Sequence, residues 1–565
     1  MTASTTQISD AAINDERLAG DQPTAEESSK SDLWIFREGR KEVSGPAFLR
    51  ELREGLAAHQ ATIDSLIHAG ELEAALADAA SQATSLAACV TDALALHLCT
   101  GTFGADDPER VASRIETPCI LHISPPEGFT YYALHPLDFA RAADLIAESS
   151  SAFAVIGIRS IGTTLSAVTA AALRAQGKAA ARITVRPSGH PYARAIEFTS
   201  DETRWIAEHD ALGAQFLIVD EGPGRSGSTF LAVAEALRRV GLAAARITII
   251  GSRQFDPQSL CAADALERWQ QFRFISTTPG LNERFQNWKY LGSGDWRIHF
   301  FESEHEWPES WTQMERFKVL SPDGREFVKF EGMGRIGKEA SERARVLARA
   351  GFSPEASNAG DGFICYAAVR GRLLRRPDLN ATILERIARY CAFRVSEFGR
   401  EGDQSSQLEE MLAYNLQEEF GRELKISAGR LSSTAVLTDG RMQPYEWIAN
   451  QSGSLIKTDA ISHGDNHFFP GPCGIAWDLA GSAIEWELGP ESVDFLLDSF
   501  RRFSGVDVLP DFELYLLAYC VFRLGFCKMA RSTVRGSMEE ERLDFSYRLY
   551  RAKALALLNE LSVAQ

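Results

Sequence analysis

Three patterns of apolar and polar positions follow one another along the chain. From Phe48 onward, Leu49, Leu52, Leu56, Ile63, Leu66, Ile67, Leu72, Leu76, Leu86, Val90, Leu94 and Leu98 recur at three- and four-residue spacings, which predicts amphipathic helices punctuated at Gly70. Next come short, wholly apolar runs that lead into helical stretches: Phe153–Ile158 before Thr163–Ala175, Phe216–Val219 before a helix opening near Thr229, then Ile247–Gly251 and Phe272–Ser276. Strands apolar on both faces and alternating with helices predict a parallel sheet wound with right-handed crossovers. Past Trp296 the pattern turns to hairpins. Arg316–Leu320 and Glu326–Phe330 flank the turn Ser321-Pro322-Asp323-Gly324, with a helix expected over Lys338–Ala350 and a strand over Gly362–Tyr366. Val493–Leu561 returns to helical spacing, with Phe495, Leu496, Phe500, Leu516, Val521, Leu524 and Leu555 on its apolar face. Residues 1–31 carry hardly any large apolar side chain, cannot repay their ordering entropy, and are expected to be a disordered tail.

Candidate chemistry gathers where the apolar runs end. Phe216–Val219 runs into two carboxylates, Asp220 and Glu221, then a Gly/Ser loop and a helix. Unpaired N–H groups and the helix dipole make such a helix start a place for an anion, while the carboxylates suit sugar hydroxyls. A second loop of this kind, Arg159-Ser160-Ile161-Gly162, follows Phe153–Ile158. Between the two, Arg182, Arg186, His190 and Arg194 concentrate positive charge around the turn Pro187-Ser188-Gly189-His190-Pro191. That stretch reads either as a solvated charged face or as a mobile flap.

Strand, acid pair, small-residue loop and helix in this order resemble the ribose-phosphate signature of the type I phosphoribosyltransferases, with a loop one residue longer than usual. The resemblance implies that Asp220 and Glu221 hold the ribose hydroxyls of phosphoribosyl pyrophosphate, and that Gly224, Arg225, Ser226, Gly227, Ser228 and Thr229 wrap its 5-phosphate. It places Arg159, Ser160 and Gly162 at the pyrophosphate, Arg186 and His190 in a flap over it, and Mg2+ across it. Asp220, Glu221 and Arg159 are then the catalytic residues of phosphoribosyl transfer to a small-molecule acceptor whose identity is not readable.

The later hairpins resemble the small lobe of the aminoglycoside and choline phosphotransferases, which have a protein-kinase-like fold. That resemblance implies that Lys329 meets nucleotide phosphates, with Glu342 or, second, Glu339 orienting it. Asp459, Gly464-Asp465 and Asp478-Leu479-Ala480 fall at the family's spacing, but its catalytic loop is altered. On this register Arg441 replaces the catalytic base and Glu446 the metal-binding Asn, with Asp459, Glu446 and Asp465 as metal ligands. An arginine cannot accept a proton from a substrate hydroxyl but is well shaped for phosphate, so Arg441 is expected with Lys329 and Glu342 among the nucleotide-binding residues. An alternative register makes His463-Gly464-Asp465 the catalytic loop. Asp459, His463, Asp465 and His467 together could also share one divalent ion.

The fold class expected is therefore α/β and α+β in several domains. These are a tail over 1–31, a helical region over 32–115, a parallel-sheet phosphoribosyltransferase-like domain over 116–290, and a two-lobed kinase-like domain over 291–565. A formal net charge of -18 argues against a polyanion-binding surface, so no nucleic acid is expected. Nine cysteines without a close pair point to reduced thiols, and no apolar run is long enough to span a membrane, so the cytoplasm is the expected location. Phosphoribosyl pyrophosphate and ATP are the expected ligands, and an oligomer is left open. Two other readings stand beside phosphoribosyl transfer: a first half that only senses a ligand, and a small-molecule kinase in the second half.

Overall fold

The computed structural model describes residues 41–59, 62–190, 192–224, 226–400, 406–423, 431, 434–461, 463–464 and 469–563. The expected tail over 1–31, and Arg225, Asp465 and His467, lie outside the described residues. The rest forms two compact units: residues 41–287 with 332–338, and residues 288–331 with 339–563.

In the first unit, β1 (Lys41–Ser44) pairs antiparallel with β2 (Ile120–Ile123). The expected parallel sheet begins with β3 (Ala152–Ile158) and β4 (Ala179–Val185); β5 (Ser188–His190) and β6 (Ala193–Ala195) then form a separate hairpin. It continues through β7 (Gln215–Val219), β8 (Ile247–Gly251) and β9 (Arg273–Ser276), in the order β4-β3-β7-β8-β9 with every pairing parallel. Phe153 to Ile156 and Phe216 to Val219 are almost wholly buried, which is why these runs show no polar alternation. The chain moves from β3 outward to β4 and then returns past β3 to β7. That reversal opens a crevice at the carboxyl ends of β3 and β7, the usual ligand position in such sheets.

The N-terminal helices are part of this unit. Leu66, Leu72, Leu76, Val90 and Leu94 share one core cluster with Ala167, Val168 and Ala171 of the helix Ile161–Ala175. Gly70 was expected to punctuate these helices, but it lies inside the helix Thr62–Asp78. A Cβ there would come 2.0 Å from Thr164 Oγ1, so glycine serves close helix approach and not a break.

The second unit starts with a five-stranded antiparallel sheet made of β10 (Lys289–Tyr290), β11 (Lys318–Leu320), β12 (Glu326–Phe330), β13 (Ala356–Gly360) and β14 (Phe363–Ala367). Its order is β10-β11-β12-β14-β13. A smaller sheet holds β15 (Gly371–Leu373), β16 (Trp447–Asn450) and β17 (Leu455–Lys457). Helices Ala381–Phe398, Ser406–Phe420, Ala476–Glu485, Pro490–Ser504, Phe512–Arg531 and Met538–Val563 complete it around a core that includes Tyr390, Trp477, Tyr519 and Leu524. Among the described residues, no helix is long and apolar enough to cross a membrane.

Candidate functional sites

At the crevice of the first unit, the expected acid pair is in place. Asp220 Oδ1 accepts from the Glu221 N–H at 2.9 Å, and Glu221 Oε2 accepts from the Gly128 N–H at 3.0 Å. Gly162 lets the loop after β3 approach the end of β7, since a Cβ there would lie 2.6 Å from the Val219 carbonyl oxygen. Burial, with only the Glu221 amide and Arg186 to offset it, pushes Asp220 up to about 7. Burial, with Glu127 and Asp220 nearby, pushes Glu221 up to about 8. The electrostatic neighbour Glu127 was not anticipated from the sequence; it sits 93 residues before Asp220 and obeys no local spacing rule.

The cations expected to meet an anion here are committed elsewhere. Arg159 pairs with Asp78 at 3.0 Å and donates to the Thr184 carbonyl. Arg186 pairs with the same Asp78 at 2.5 Å and donates to the Arg159 carbonyl. Burial pushes the Asp78 carboxyl up, but the two arginines hold it below its ordinary range. Arg182 is buried between Glu73, at 2.7 and 2.8 Å, and Asp92, inside the helical layer. Ser160 Oγ donates to the Ser124 carbonyl, and Ser226 donates to Ser228, both of which are buried. Gly227 precedes the helix Ser228–Arg239 and Gly224 is exposed, while Thr229 is half-buried in its first turn. His190 is exposed on the β5–β6 hairpin, where its Nδ1 accepts from the Tyr192 N–H.

The second unit brings together residues far apart in sequence. Lys329, buried on β12, pairs with Asp459 and, at 3.1 Å, with Glu331. Burial works against its charge, yet Asp459 and Glu331 hold the ammonium above its ordinary range. Asp459 is buried in turn, but Lys329 and His463 hold its carboxyl well below the usual range. His463 Nε2 lies 3.0 Å from Asp459; burial lowers this imidazole to about 4, so it is neutral near pH 7. Glu342 does not orient Lys329. It faces outward and pairs with Arg345 and Arg349, while Glu339 pairs with Arg343 and Arg400. The orienting carboxylate is Glu331, which also accepts from the Tyr366 hydroxyl at 3.2 Å. Its position two residues after Lys329, at the strand's end, was the available sequence signal.

The loop from Asp439 to Glu446 is held by buried charges. Asp478 accepts from the N–H groups of Asp439 and Gly440 at 2.8 and 2.9 Å. Asp439 in turn meets Lys457 at 3.3 Å and accepts from the Tyr390 hydroxyl at 2.5 Å. Arg394, fully buried, donates to the carbonyls of Leu437 and Ala460. The hairpin β16–β17 connects this loop to Asp459. Arg441 is half-buried, and Glu446, buried and opposed only in part by Lys457 at 4.0 Å, is pushed up to about 7.

These carboxylates are a fit for magnesium. Asp459 and Glu331 are matched by Lys329 and by Arg316, which lies 3.6 Å from Glu331, so the fit rests on Glu446, whose nearest ammonium, Lys457, is 4.0 Å away, beside Asp459. Magnesium needs only one or two carboxylates when substrate phosphates supply further oxygens. Among the described residues, no group of three acidic, histidine or cysteine side chains gathers to hold a metal unaided.

No protein-family model and no curated protein sequence matches the chain. Solved structures do match. A choline kinase from Streptococcus pneumoniae matches at 12% identity and a TM-score of 0.30, over 43% of this chain and 89% of that one. A choline kinase from Cryptosporidium parvum matches at 12% and 0.32, over 50% and 92%. An aminoglycoside phosphotransferase from Alicyclobacillus acidocaldarius matches at 12% and 0.24, over 44% and 90%. At this level of similarity the side chains described above, not the matches, decide what the second unit can do.

The expectation that the chain is a phosphoribosyltransferase is corrected. The solved structures named above are choline kinases and an aminoglycoside phosphotransferase, and none of them is a phosphoribosyltransferase. In the first unit, Arg159 and Arg186 share the single carboxylate of Asp78, which offsets one of their two charges, and burial draws Asp220 and Glu221 toward their protonated forms.

Proposed function

We propose that the second unit is a nucleotide-binding, small-molecule phosphotransferase-like unit, with Lys329 and Asp459 at its centre. The observation that carries this reading is their ion pair, formed across 130 residues of sequence and flanked by Glu331 and His463. Lys329 would meet nucleotide phosphates while Glu331 keeps the ammonium oriented and charged. Asp459 and Glu446 would hold magnesium, which when bound neutralises charge developing on a transferring phosphoryl group. Asp478 positions the loop through two backbone N–H groups, so the side chain of Arg441 is presented from a fixed backbone.

An arginine at the position of a general base lowers the expected rate. A positioned base contributes roughly 100- to 10,000-fold, and guanidinium cannot take that proton. Nucleotide binding with slow ATP turnover follows. ATP consumption by the full chain, compared with Arg441→Asp and Asp459→Asn, tests this. The reading expects low turnover in the parent, a rise in Arg441→Asp and none in Asp459→Asn; brisk parental turnover insensitive to Asp459→Asn would contradict it. No reaction is assigned to the first unit, whose crevice is read as a ligand-sensing site.

A further inference from the structure

Around the loop that carries Arg441, nearly every buried charge has an opposite partner. Asp439 has Lys457 at 3.3 Å, and Arg523 from the helix Phe512–Arg531 has Glu309 at 2.6 Å. Glu485 accepts from the hydroxyls of Tyr519 and Tyr550 at 2.6 and 2.8 Å. Arg441 is the exception among the cations. Among the described residues, no carboxylate comes within 4.0 Å of its guanidinium and no hydrogen bond uses its side chain, although it is half-buried. Its guanidinium stands 5.7 Å from the centroid of the Phe526 ring, and that of Arg523 stands 5.3 Å from the same ring. The two cations therefore share one aromatic surface and, with burial, work against the charge on Arg441, which Tyr445, Glu446 and Asp459 sustain without either of these carboxylates coming within 4.0 Å of it. Arg523 spends little on Glu485, whose nearest oxygen is 3.8 Å from its Nε, beyond hydrogen-bond reach. Next to Arg441, the Tyr445 hydroxyl also lacks a hydrogen-bond partner among the described residues, its ring resting 5.9 Å from that of Trp296.

A half-buried guanidinium without a counter-ion is costly unless a ligand supplies one. We propose that Arg441, with Tyr445 beside it and Arg523 behind it, forms an anion subsite for the phosphate group of a phosphorylated small molecule, separate from the nucleotide site at Lys329. Guanidinium presents paired N–H donors that match two phosphate oxygens, the tyrosine hydroxyl can donate to a third, and a second nearby cation favours a dianion. Placed in the loop that would face the acceptor, this subsite selects an anionic partner and repels a quaternary ammonium such as choline. The assignment of the subsite to an acceptor rests on the phosphotransferase-like reading; the subsite's affinity for phosphate does not.

The test is calorimetric titration of the full chain with glycerol 3-phosphate, glycerol, choline and AMP. The expected result is binding of glycerol 3-phosphate but not of glycerol or choline, weakened about tenfold or more in Arg441→Gln and partly kept in Arg441→Lys. AMP affinity should stay within about twofold of the parent in both variants, and thermal melts of the variants give the folded fraction. Equal affinity of parent and folded Arg441→Gln for glycerol 3-phosphate, or binding of choline in its place, would overturn the subsite. If the parent takes glycerol 3-phosphate through Arg441 but binds no AMP, the nucleotide reading fails and the subsite stands. If AMP binds and glycerol 3-phosphate does not, the subsite alone fails.

Discussion

The two units dispose of charge in opposite ways. In the first, Arg159 and Arg186 share the one carboxylate of Asp78 while Asp220, Glu221 and Glu127 stand together without a full counter-ion. In the second, the acids are served by buried cations: Asp459 by Lys329 and Asp439 by Lys457, while Arg441 has none. Both regions were read from the sequence as phosphate sites. The difference shows that the kind of residue in a loop does not settle its ligand; the charges left unpaired after folding do. A crevice with excess carboxyl groups suits neutral or cationic ligands, and one with an excess guanidinium suits an anion.

The largest effect is expected from removing a buried cation. Arg394→Met leaves Asp439 and Asp478 in the core with one cation fewer and two carbonyls without their donor, a loss of about 3–5 kcal/mol. Chemical denaturation should show it; a loss under about 1 kcal/mol would mean that the network holds little of the second unit's stability. The first unit should respond in the other direction. Because the folded pKa values of Asp220 and Glu221 are raised, the stability they lend is present below their ordinary range and is lost as pH climbs through about 7 and about 8. The double variant Asp220→Asn, Glu221→Gln should therefore gain melting temperature relative to the parent between pH 5 and pH 9. A difference that does not change with pH would show that these carboxyls are not strained by burial. The smallest effect is expected at Glu342, whose pairs with Arg345 and Arg349 are half exposed. Glu342→Gln should change stability by less than about 0.5 kcal/mol and leave nucleotide affinity unaltered, whereas a helix glutamate orienting Lys329 would lower that affinity.

Much of the fold was legible because strand runs and helical spacings are local. Phe153–Ile158, Phe216–Val219 and Ile247–Gly251 lie within a residue of the strands they form, and Glu326–Phe330 coincides with β12. The sites were legible only in part. Lys329 and Asp459 could be singled out by spacing, but the second partner of Lys329 is Glu331, just past the end of its own strand, and in the helix Gly334–Arg349 Glu342 pairs with Arg345 and Arg349 instead. Asp78, which closes off Arg159 and Arg186, lies 81 and 108 residues from them. Arg394 and the Ala460 carbonyl it meets are 66 residues apart. Pairings at such distances are set by how helices pack on the sheet, and no periodicity in the chain announces them. Gly70 shows the same limit: a residue that reads as a helix break is used for close packing against Thr164.

The most direct measurement is calorimetric titration of ATP with magnesium into the full chain, into Lys329→Met and into Asp459→Asn. Charge-assisted contacts are each worth roughly 1.5–3 kcal/mol, so the nucleotide-binding account predicts measurable affinity in the parent and a loss of about tenfold or more in each variant. Parent and Lys329→Met binding ATP equally well, or a parent that binds no nucleotide, would contradict it.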